Sequence, residues 1–113
     1  MSAQNQSEIT IHVTTDENKV PEKLAWQASD NDTGGAVKAV LLSVWDEKER
    51  NTLRVDLWTK EMTIEEMKHF VHQTMLTMSD TFERATGEEA MALSMRDFCE
   101  YFAEKMDLAP NQA

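Results

Sequence analysis

Three side chains within eight residues have the types and spacing to hold a metal: Glu65, His69 and His72 in "TIEEMKHFVHQTM". On a helix, residues three, four and seven apart share a side, so the three converge. Two imidazoles and a carboxylate are donors found at catalytic zinc sites, and such a site would make the chain a metal-dependent enzyme. The same side also carries Asp80 and Glu83. The pattern offers no clear further ligand and no outer shell to orient the histidines. These residues read as a solvated acidic face, with no metal and no cofactor expected. His12, the third histidine, has no partner close in sequence.

Asp56 invites a second chemistry, because Val55 and Leu57 flank it in "TLRVDLWT". A carboxyl perturbed for acid–base work needs a cleft and a second group. The alternation instead places Asp56 beside Arg54 on an outer sheet face, where a cross-strand charge pair is ordinary. No Ser, Cys or Lys stands in a nucleophile setting. "TGGA" is a glycine pair in a turn, without the further Gly and Lys of a phosphate-binding loop. Cys99 is the sole cysteine, so no internal disulfide can form. It sits on the apolar side of a helical pattern and reads as a small buried hydrophobe. No catalytic residue emerges, and the chain is not expected to be an enzyme.

The elements that position these residues change period once along the chain. "EITIHVTT" sets Ile9, Ile11 and Val13 on one strand face, and "KLAWQAS" does the same for Leu24, Trp26 and Ala28. "DENKVPE" and "DNDTGG" read as turns. "AVKAVLLSVW" is nearly continuous in apolar character, as a strand covered on both faces is. "DEKERN" makes a charged hairpin loop before "TLRVDLWT", whose Leu53, Val55 and Leu57 point inward. Four strands joined by short loops predict an antiparallel sheet.

From Thr63 the period becomes helical. Ile64, Met67, Val71, Met75, Met78, Phe82 and Ala85 form one stripe. Thr63 and Glu66 have capping-box spacing, and Gly87 is the expected stop. Met91, Met95, Phe98, Cys99, Phe102 and Met106 define a second helix. The seven methionines after residue 61 could line an adaptable peptide groove, but the stripes assign most of them to core packing. The expected fold is α+β: a four-stranded antiparallel sheet followed by two helices packed on one face. It forms one domain over residues 8–108, with flexible ends at 1–7 and 109–113. Trp26 should belong to the core, and Trp58 should lie nearer the surface with Arg54 and Asp56.

Some apolar surface is left over. Val40, Leu42 and Val44, or their odd-numbered alternates, lie on a sheet face that the two helices cannot both cover. Trp58 joins the outer register, while Phe70 flanks the first helical stripe and Leu76 lies opposite it. A contiguous apolar face of this kind marks a partner surface, and a homo-oligomer is expected to bury it. The 113 residues carry 11 Lys plus Arg against 21 Asp plus Glu, a net charge of −10. That balance opposes nucleic-acid binding and anionic membrane surfaces, and suits a cationic or unfolded protein segment instead. "MSAQNQSEIT" lacks the pattern of a secretory signal. "AVLLSVW" is too short to span a membrane. A cytoplasmic location is expected, with no membrane insertion.

The blocks "DENKVPEKLAWQASD", "LLSVWDEKERNTLRVDLWTKEMTIEEMKHF", "MSDTFERATG" and "MRDFCEYFAEKM" resemble the GldC family of gliding-motility accessory proteins. The resemblance covers about residues 8–108. It implies a small accessory protein of gliding bacteria without known enzymatic activity, and it brings no catalytic or binding residues with it. Strands followed by two helices is also the element order of the SecB export chaperone, a fold-level analogy. Together they imply protein partners in the gliding or secretion machinery, and the SecB order adds the idea of a holdase for secretion or motility components.

Overall fold

The computed structural model describes residues 5–108. The expectation of flexible ends at 1–7 and 109–113 lies outside the described residues for 1–4 and 109–113. By internal contacts the chain divides into a strand unit ending at Met62 and a helical unit beginning at Thr63.

The strand unit holds β1 (Ile9–Thr15), β2 (Pro21–Ala28), β3 (Thr33–Val37), β4 (Ala39–Asp46) and β5 (Asn51–Trp58). They do not form the single four-stranded sheet expected from the sequence. β1, β2 and β3 make one antiparallel sheet, and β4 and β5 make a separate two-stranded ribbon. The difference has two causes. The apolar run "AVKAVLLSVW" is interrupted at Lys38, where the chain bends between β3 and β4. The glycines of "TGG" also belong to a strand rather than to the turn. Gly34 lies so close to β2 that an added Cβ would stand 2.3 Å from the Trp26 carbonyl oxygen. Glycine is needed there for close backbone approach, and the left-handed turn conformation falls on Asp32 at φ 50°.

Within the three-stranded sheet the register places Val13 opposite Leu24, Ile11 opposite Trp26 and Ile9 opposite Ala28. Val37 of β3 lies on the other side of Leu24. The two alternating patterns therefore meet on one face, with Leu24 buried at their centre and Trp26 half-buried. The β1–β2 turn is built by Asp16. Its carboxylate accepts from the amides of Asn18 (2.8 Å) and Val20 (3.0 Å), as aspartate does in turns. Lys60, just past β5, pairs with the same carboxylate.

The helical unit holds α1 (Ile64–Thr86) and α2 (Glu89–Lys105). The predicted capping box is present: the Glu66 amide donates to Thr63 Oγ1 and the Thr63 amide to Glu66 Oε1, both at 3.0 Å. Gly87 ends α1 in the left-handed region at φ 74°, the conformation glycine adopts without a Cβ clash. The side chains fully buried on the two helices are small, namely Ser79, Ala92 and Cys99. Arg96 of α2 staples the pair by reaching Asp80 and Glu83 of α1, each at 2.8 Å.

Candidate protein-interaction surfaces

The β4–β5 ribbon sorts its side chains sharply. Directly opposed residues of an antiparallel pair share a face, and the register pairs Val40 with Leu57, Leu42 with Val55, and Val44 with Leu53. One face is thus aliphatic over these three pairs, with Asp46 and Asn51 at its hairpin end. The other carries Ala39, Leu41, Ser43 and Trp45 opposite Trp58, Asp56, Arg54 and Thr52. The aliphatic face is open: Leu42, Val44, Leu53 and Val55 are 43–50% exposed, while Val40 and Leu57 are half-buried. Most globular cores hide such residues, and an exposed aliphatic patch of this kind, with a charge only at its hairpin end, marks a contact surface.

Of the residues anticipated as an interface, Val40, Leu42 and Val44 stand together on this aliphatic face. They share it with Leu53, Val55 and Leu57, which the alternation had pointed inward. Trp58 lies on the opposite face beside Ala39, in the register of Arg54 and Asp56, and is exposed. Phe70 and Leu76 belong to α1, the first half-buried and the second exposed.

The candidate metal ligands separate. His69 Nε2 lies 3.7 Å from Glu65 Oε2, a one-turn pairing along α1. His72 stacks on Phe102 of α2, ring centroids 6.0 Å apart and planes within 12°. Among the described residues no three His, Cys, Asp or Glu side chains gather as a metal-holding group. His72 instead helps to pack the helical pair. Cys99 is buried at the helix seam, and burial pushes its thiol pKa up, away from the reactive thiolate.

One feature escaped the reading of the helical stripes. Met75 and Met78 of α1 and Met91, Ser94, Met95 and Phe98 of α2, with Cys99 beneath, line an apolar cleft of about 390 Å³. Met78, Met91 and Phe98 are more than half exposed, although periodicity had assigned them to packing. The helices bury only their narrow seam of small residues, so the flanks of both stripes stay open. The signal was the density of methionines, which sequence could not divide between core and groove.

A family model for gliding motility-associated, GldC-like proteins matches residues 21–108. The chain belongs to this family. The match runs from the start of β2 to the end of the described helical unit, so the matched part of this chain includes both the aliphatic ribbon and the methionine cleft. No curated protein and no solved structure matches the chain. No helix among the described residues is long and apolar enough to cross a membrane.

Proposed function

We propose that this GldC-like protein is a non-enzymatic accessory component of bacterial gliding that acts through protein–protein contact, beginning with its own assembly in the cytoplasm. The observation that carries the reading is the open aliphatic face of the β4–β5 ribbon, from Val40, Leu42 and Val44 to Leu53, Val55 and Leu57. A chain of net charge −10 repels its own copies, so two copies can meet closely only where neither presents charge. The three aliphatic pairs satisfy that condition, with Asp46 only at the hairpin end, and a twofold pairing is the commonest way to cover them. Partners in the gliding or secretion machinery would then meet the acidic remainder. A holdase role resembling that of an export chaperone is the second reading, favoured by the methionine cleft.

Light scattering at micromolar concentration tests the assembly. The wild type should weigh more than one chain. Leu42→Asp should reduce that mass, and Leu41→Asp, on the opposite face, should not. A wild-type mass of one chain overturns the self-association. For the cellular role, deleting the gene in a gliding bacterium should slow colony spreading, with restoration by wild type and not by Leu42→Asp. Unchanged spreading of the deletion strain overturns it.

A further inference from the structure

We infer that the methionine-lined cleft of the helical unit is a docking groove for an apolar peptide segment flanked by cationic residues. The inference rests on the reading of this protein as one that works by protein contact, and it names the site and the class of partner. Met75 and Met78 lie one turn apart on α1. Met91, Ser94, Met95 and Phe98 repeat at one face of α2. The α2 set spans eight residues, roughly 10 Å of helix, which matches the apolar anchors of about two turns of an incoming helix. Ser94 is the one polar lining residue. Small-molecule pockets fix their ligands with a few placed polar groups, and this cleft has almost none. Unbranched, polarisable methionines can repack around many apolar shapes. Such a lining suits a family of peptide sequences better than one compact metabolite.

Charge decides between a client and a second copy. Residues 63–108 carry ten acidic and four basic side chains. Arg96 is held by Asp80 and Glu83, and Lys105 lies over the Tyr101 ring at 5.8 Å. Two such units facing each other would oppose their carboxylates. A segment bearing Lys or Arg beside its apolar anchors gains attraction instead.

The test uses the full chain and three fluorescein-labelled synthetic peptides of equal length: an amphipathic Leu–Lys helix, the same peptide with Ser for Leu, and the same with Glu for Lys. In anisotropy titrations the Leu–Lys peptide should bind at least about tenfold more tightly than either control. Met78→Gln with Met91→Gln, both at exposed positions, should weaken it by about tenfold or more while the assembled mass stays unchanged. A photoreactive Leu analogue in the peptide should cross-link to residues 75–98 of the wild type, a readout that needs no variant. Equal binding of the Glu peptide, undiminished binding by the double variant, or cross-links confined elsewhere overturns the groove. So does a fall in assembled mass in the double variant, which would make the cleft a contact between copies. Peptide binding and the self-association test are separate measurements, so either reading can fail while the other stands.

Discussion

Asp16 shows how one side chain closes a strand unit with a small core. The Lys60 ammonium beside it, with the amides of Val20 and Asn18, holds its carboxyl at about 2, below its ordinary 3.8. A depressed carboxyl pKa contributes stability that is present above the unfolded value and disappears as pH falls through the folded one. Asp16→Asn should therefore lower the melting temperature at pH 7, and its gap from wild type should narrow between about pH 4 and pH 2. Melts across that range check it, and a gap that stays constant with acid would show that the pair contributes nothing through its charge. Gly34 supports a purely steric prediction. With the Trp26 carbonyl 2.3 Å from a would-be Cβ, Gly34→Ala must shift β3 away from β2. Overpacking of this order costs about 1–3 kcal/mol; an unchanged denaturation midpoint would mean that β3 moves freely.

Helices and strands differed in how far they could be read. The start of α1 was legible because Thr63 and Glu66 satisfy each other's amides over a fixed spacing, and its end because Gly87 alone accommodates the left-handed turn. Thr63→Ala removes one side of the box and should cost about 1 kcal/mol. Chemical denaturation followed by far-ultraviolet dichroism measures it, and no loss would show that packing alone holds the helix end. β3 was not legible, since glycine serves both turns and close strand approach, and only the position of Trp26 decides which. The ribbon's faces were half legible. Alternation divides odd from even residues on each strand, but the pairing of Leu42 with Val55 is fixed by hairpin register, which periodicity does not contain. For the helices, periodicity found the stripes and could not find their width of burial. Ser79, Ala92 and Cys99 occupy the seam, and the larger methionines lie to its sides. The candidate ligand set failed for a related reason: His72 turns to Phe102, a partner thirty residues away.

The described residues contain few buried apolar side chains, namely Leu24, Ala92 and Cys99. With so little interior, the self-association proposed above would add to stability, and the melting temperature should then rise with concentration. Scanning calorimetry over a hundredfold dilution is the check; a fixed midpoint would place the stability within one chain. The tryptophans offer an optical consequence. Trp26, Trp45 and Trp58 all lie in the strand unit, and the helical unit carries none. Tryptophan emission thus watches the strands alone, while far-ultraviolet dichroism is dominated by α1 and α2. Trp45 and Trp58 also occupy the ribbon face opposite the aliphatic one, so iodide should still quench them after that face is covered. Recorded together during unfolding, the two signals form a built-in two-colour reporter: coincident curves mean one cooperative body, and separated curves mean two.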